Sequence, residues 1–259
     1  AERGLALAPE IGDTYAARGA VRFQGRDFVG AVRDLRKALA LSPANPDAHD
    51  LLGRIAAETG PEADASFHLH TAITLDPGFA LEEWTALRVL ALSGKWREAD
   101  RFIDERLSKP LTSSVAWNTI ARLVSWRRDA ELAARLLTRE ELRSGEFPTA
   151  QLVIGLTARP EPGVDPLGAL TGFGASHTSW RTRSFLAQLR AEAAAGTGDL
   201  ARALDAVDAA VAEGLIDLCW LDGCPLLDGC RQHPRFVAQR ATVAERAAVV
   251  RDAMLAPLD

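Results

Sequence analysis

Tyr15 to Pro43 reads YAARGAVRFQGRDFVGAVRDLRKALALSP, and its spacing decides the fold. Ala31 within it returns as Ala65, Ala99 and Ala133, 34 residues apart each time. Other columns keep the same register: Gly19 with Gly53, then Leu35, Leu69, Ile103 and Leu137, then Leu39, Ile73 and Leu107, and finally Pro9, Pro43 and Pro77. Several columns at one fixed period mark a chain assembled from one repeated supersecondary unit.

Each column has a physical reason. Small residues in the first helix of the unit (Gly19, Gly53, Ala121) and early in the second (the Ala31 series) let two helix backbones approach, while Leu35 and Leu69 fill the space beside them. Proline cannot continue a helix and biases the residue before it to extended geometry. Leu41-Ser42-Pro43 and Leu75-Asp76-Pro77 therefore read as a helix end and a turn into the next pair.

With its Gly19, Phe28 at the start of the second helix, Ala31, Ala38 and Pro43, the Tyr15 to Pro43 stretch resembles a tetratricopeptide (TPR) repeat almost residue for residue. HDLLGRIAAETGPEADASFHLHTAITLDP, from His49, is a second close copy. The third and fourth copies drift: Glu83 takes the usual aromatic place with Trp84 one position late, whereas Trp117 and Ala121 return to register, and no proline follows the fourth. The resemblance implies an all-α fold, a right-handed α-α superhelix (TPR solenoid) with a C-terminal capping segment. The array spans residues 1–140, with a partial repeat at 1–11 and repeats near 12–45, 46–79, 80–112 and 113–143. Leu5, Leu7 and Pro9 fall in register with Leu39, Leu41 and Pro43, so the chain is expected to begin inside a second helix, as a piece of a longer protein.

Residues 144–180 form an irregular Gly/Pro-rich connector in which Phe147 to Leu156 can make one helix. Gly172-Phe173-Gly174 lacks the strand and third glycine of a phosphate loop and reads as part of that connector. Helical order returns over 181–217 as a fifth TPR-like pair with Ala191, Ala203 and Ala210 in the small-residue positions. Residues 218–259 carry Trp220-Leu221, Pro225-Leu226-Leu227 and His233-Pro234-Arg235-Phe236, and resemble the closing segment of TPR regions at the C-terminal ends of large bacterial signalling proteins. The resemblance implies that this segment and a helix from Thr242 to Met254 cover the last apolar face.

Composition narrows the function classes. The 259 residues are 47% hydrophobic with a net charge of -5, enough for an ample core and without the basic excess of a phosphate-binding surface, so nucleic acid is not expected as a partner. No run of about 20 apolar residues exists, so no membrane partner is expected. Three cysteines make no even disulfide framework, which points to a reducing, cytoplasmic setting. Cys219, Cys224, Cys230 and His233 lack a paired C-x2-C knuckle and read as packing residues, so no metal and no cofactor is expected. His68 and His70, two apart on one helix, point about 200 degrees away from each other and cannot share an ion.

The candidate site lies on the first helices. Arg54, Arg88 and Arg122 recur at the repeat spacing one residue after the small-residue column, and the resemblance directs them into a concave peptide-binding groove. Asn118 precedes Arg122 by four, with Asp50 and Trp84 in the equivalent places of earlier repeats. Guanidiniums make bidentate contacts with carboxylates, so an acidic or extended peptide is the expected ligand; pairing with neighbours such as Asp50 and Glu58 is the competing fate. Ala16 and Ala20 replace the basic and amide residues of chaperone-tail clamps, so that specialised branch is not expected. No catalytic motif is legible, so the chain is expected to be no enzyme in itself. The expected function is a protein-protein interaction and regulatory scaffold module of a larger bacterial signalling protein, a Ser/Thr kinase foremost, whose missing N-terminal portion would hold kinase or cyclase chemistry. Two alternatives stand beside it: a small-molecule-sensing TPR solenoid of a transcription regulator, and a self-association module forming a homo-oligomer through exposed solenoid ends.

Overall fold

The computed structural model describes residues 5, 8–60, 62–76, 80–159 and 179–257. Most of the expected Gly/Pro-rich connector lies outside the described residues. Every regular element among those described is helical. In chain order they are α1 (Gly12–Gln24), α2 (Phe28–Leu41), α3 (Pro46–Thr59), α4 (Glu62–Leu75), α5 (Ala80–Leu92), α6 (Trp96–Leu107), α7 (Ser114–Trp126), α8 (Ala130–Leu136), α9 (Glu140–Arg143), α10 (Pro148–Ala158), α11 (Trp180–Gly196), α12 (Leu200–Ala212), α13 (Leu218–Gly223), a 3-10 helix (Pro225–Cys230) and α14 (Pro234–Leu255). They form two compact units, one of Ala1–Val89, Ile216–Trp220 and Thr242–Asp259, the other of Leu90–Leu215 and Leu221–Ala241.

In the first unit consecutive helices pair, α1 with α2 and α3 with α4, and α2 also packs on α3. The residues of the sequence columns make these contacts. Ala31 and Ala65 are fully buried. A Cβ placed on Gly19 would lie 2.9 Å from Leu35 Cγ, and one on Gly53 would lie 2.8 Å from Leu69 Cγ. The same glycine-leucine contact thus occurs in two successive repeats, and any side chain larger than hydrogen would push the helices apart. Asp34 on α2 is buried against Arg18 of α1, which donates to it through Nε and Nη2 at 2.7 Å each. The end of α14 joins this core: Val250 and Ala253 cluster with Phe23, Leu35, Leu52 and Ile55, and Arg36 donates to the terminal carbonyls of Ala253 and Ala256. Arg251 in turn donates to the carbonyl of Thr59 at 2.6 Å. The helix expected to cover the last apolar face of the array, Thr242 to Met254, instead packs with the first repeats.

In the second unit Ala99, Ala133 and Ala203 continue the fully buried alanine series. The fourth repeat departs from the pattern. Its second helix, α8, stops at Leu136 after seven residues, and α10 packs against both α7 and α8. Further along, α11 pairs with α12 and meets both α7 and the 3-10 helix.

One backbone device closes the first helix of most repeats. Arg26, Gly60, Gly94 and Arg128, again 34 apart, all have positive φ (67°, 74°, 75° and 54°), as does Gly198 at 81°. At four of these turns the next residue donates back five positions: Asp27 to Arg22, Lys95 to Leu90, Asp129 to Val124 and Asp199 to Ala194. This is the Schellman closure. Asp27, Asp129 and Asp199 then cap the following helix through their side chains. At these turns a helix end and the next helix start therefore occupy two adjacent residues, which leaves a tight connection between the paired helices.

Candidate functional site

The arginine column sits on three first helices with three different surroundings. Helix α3 starts at Pro46 behind the Asn45 cap, whose side chain accepts from the Ala48 amide, and this sets Asp50 and Arg54 on one face. Arg54 Nη1 donates to Asp50 Oδ2 at 3.1 Å, with the two side chains 20% and 9% exposed. Asp50 Oδ1 is buried and accepts no hydrogen bond, and the rest of the Arg54 guanidinium bonds to no described residue. Both halves of this pair keep hydrogen-bonding capacity.

Arg88 on α5 is spent. Its Nη2 donates to Asp217 Oδ2 at 2.5 Å, and the side chains are 13% and 5% exposed. Asp217 Oδ1 meanwhile accepts from the Trp220 amide at 3.0 Å, starting α13. Burial pulls the Arg88 pKa down, but the Asp217 carboxylate, helped by Glu58 and Cys219, outweighs it and raises it above its ordinary value, so the guanidinium stays charged. The Asp217 carboxyl is raised by the same burial, against the pull of Arg88, with Glu58 pushing the same way. The two directions are compatible: the charges attract, yet the carboxylate bears a desolvation cost its partner does not fully offset. Trp84, four residues earlier on α5, is buried.

Arg122 on α7 belongs to the second unit. It is enclosed, at 7% exposure beside Glu192 at 3%. Nε donates to both Glu192 carboxylate oxygens at 3.1 and 3.2 Å, and Nη2 to Gln188 Oε1 at 3.0 Å as well as to Glu192. Its guanidinium also lies over the rings of Trp126 and Phe185, at 5.2 and 5.5 Å from their centroids. Asn118, four residues before it, is half-buried. The structure thus groups Asp50, Arg54, Trp84 and Arg88 in one unit and Asn118 and Arg122 in the other.

Among the described residues no three His, Cys, Asp or Glu side chains come close enough to hold a metal ion. Cys224 and Cys230 are buried thiols, and burial pushes Cys224 far above the usual range, with Glu192 adding and Arg122 opposing. No helix among them is long and apolar enough to cross a membrane.

A histidine pair escaped the sequence reading. His49 Nε2 lies 3.1 Å from the Pro43 carbonyl, which can only accept, so this nitrogen donates and His49 Nδ1 accepts from His68 Nδ1 at 2.9 Å. Burial, then the neighbouring His49, lower the His68 pKa to about 4, with Asp64 opposing. The signal that could have found it is a half-turn offset: His68 shares its helix face with Ala65, Leu69 and Ala72, not with His70. No family model matches the chain, and no curated protein matches it.

Proposed function

We propose that this chain is a protein-interaction and regulatory scaffold module of the tetratricopeptide kind, serving a larger bacterial signalling protein such as a Ser/Thr kinase. It binds an acidic or extended peptide with Asp50 and Arg54 at the centre of the contact, and it acts by binding, without chemistry of its own. The 34-residue recurrence of buried alanines, glycine-leucine contacts and left-handed turns supports the repeat reading. The observation that carries the site is the open donor capacity of Arg54, a half-buried guanidinium bonded through Nη1 to Asp50. A peptide can offer a carboxylate or carbonyl to the guanidinium, which the Asp50 carboxylate holds in place from within. Arg88 and Arg122 already hold carboxylates and are no part of that contact.

The test is binding of a labelled panel of acidic and neutral peptides to the full chain and to its Arg54→Glu and Asp50→Asn variants. Acidic peptides are expected to bind, and Arg54→Glu to weaken them by about tenfold or more, the effect of losing a charge-assisted bond and adding repulsion. Unchanged binding by Arg54→Glu, or no preference for acidic peptides, overturns the site.

A further inference from the structure

The second unit holds a cavity of about 160 Å³ between α7, α10, α11 and the 3-10 helix. Val153, Leu156, Leu189 and Leu226 give it an apolar floor, with Ser125 and Arg128 among its polar wall. The donors in that wall are not equivalent. Thr157 and Thr197 hydroxyls donate back into their own helices, to Val153 and to Ala193 and Ala194. Glu192, also in the wall, is neutralised by Arg122. Arg128 and the Ser125 hydroxyl make no side-chain bond to any described residue. Among the residues that line the cavity, Arg128 therefore brings the one charge with no counter-charge bonded to it.

The backbone adds a second observation. Arg128 has φ 54°, the left-handed region that glycine occupies at the equivalent turns at Gly60 and Gly94. A side chain there bears a steric cost, and here it belongs to an exposed arginine that lines an apolar cavity.

We propose that this cavity is a binding site for a small organic monocarboxylate with a compact apolar body. The body would fill the floor between Val153, Leu156, Leu189 and Leu226, and the carboxylate would accept from the Arg128 guanidinium and the Ser125 hydroxyl. The size fits a single substituted ring or a short branched chain, since a cavity of about 150 Å³ accommodates benzene. Neutral apolar solutes lack the charge contact, and inorganic anions lack the buried apolar area. The site is separate from the peptide contact at Asp50 and Arg54, and neither reading requires the other.

Benzoate is the probe, with benzyl alcohol as its neutral counterpart, titrated into the full chain and followed by methyl NMR. Saturable shifts are expected at the methyls of Val153, Leu156, Leu189 and Leu226, with an affinity near about 0.1–1 mM for so few heavy atoms. Arg128→Gly removes the guanidinium while suiting the backbone, and should weaken benzoate by about tenfold but benzyl alcohol by less than about twofold. Ala193→Leu fills the cavity and should abolish both. Three outcomes overturn the proposal: no saturable methyl shift by about 20 mM benzoate, far above the expected range; equal benzoate binding by Arg128→Gly; or displacement of benzoate by sulfate at equal concentration.

Discussion

Breaking the Arg122 and Glu192 pair from one side should cost far more than removing it whole. The guanidinium donates to Glu192 and Gln188 at 3.0 to 3.2 Å, and the Arg122 and Glu192 side chains are 7% and 3% exposed. Glu192→Leu leaves a buried cation with an amide oxygen and two aromatic rings but no counter-charge, and Arg122→Leu leaves a buried carboxylate. Each should lose about 3–5 kcal/mol of stability. Replacing both by leucine removes the desolvation cost together with the attraction, so the double variant should fall within about 2 kcal/mol of the parent. The coupling between the sites is then at least about 4 kcal/mol. Urea unfolding followed by far-UV circular dichroism measures it. Because the chain forms two compact units, native-state hydrogen exchange at α7 and α11 must accompany it, so that loss in the second unit is not averaged with the first. Labelling of Cys224 gives an independent readout, since this buried thiol should become reactive in step with the loss. Single variants that each lose under about 1 kcal/mol, or a double variant as unstable as the sum, would refute the buried-charge reasoning.

Gly94→Ala should destabilise by about 1 kcal/mol, because φ is 75° and a Cβ there meets no atom within 4 Å, so only the backbone cost acts. Arg128→Gly should gain about 0.5–1 kcal/mol in the same thermal melt. Gly53→Ala should lose about 1–3 kcal/mol, since its Cβ would lie 2.8 Å from Leu69 Cγ, and Leu69→Ala placed with it should recover part of that loss in a denaturant titration. His68 gives the pH dependence. Its folded pKa of about 4 lies below the ordinary value of 6.5, so the folded state binds the proton less tightly than the unfolded chain. Its contribution is present above pH 6.5 and is lost as pH falls towards 4. Halved for partial exposure, it amounts to about 1–2 kcal/mol. His68→Gln should flatten the stability-pH curve in that window, and an unchanged slope would remove the assignment.

Periodicity carried the local half of this fold. The alanine column was legible because a residue with no room beside it must stay small, and all four alanines are fully buried. The left-handed turn column was not legible, because two of its four positions are arginine, whose side chain gives no sign of positive φ. Leu137 shows the opposite error: it keeps the leucine column, but α8 ends at Leu136, which is the buried one. The resting place of the last helix was out of reach for another reason. Arg36 meets Ala253 across 217 residues, and a repeat period reports only what neighbours do.

The arginine column shows where such reading stops. Three residues with one spacing share a direction from their helices, but the chain supplies each with a different counter-charge: Asp50 four residues away, Asp217 at 129 and Glu192 at 70. Direction is a property of the repeat; occupancy belongs to the tertiary fold. Arg88 and Arg122 are energetically part of the cores they enter, so their charge reversal would place carboxylate against carboxylate in buried sites and report on folding. Arg54 has a donor face still open, so its reversal reports on binding. Changing all three together would confound the two, and a partner lost by such a variant would say nothing about the site. The informative comparison sets Arg54→Glu against Arg88→Glu, with melting measured on both: a peptide-binding surface at Asp50 and Arg54 requires the first to lose binding with its melting intact, and the second to lose stability first.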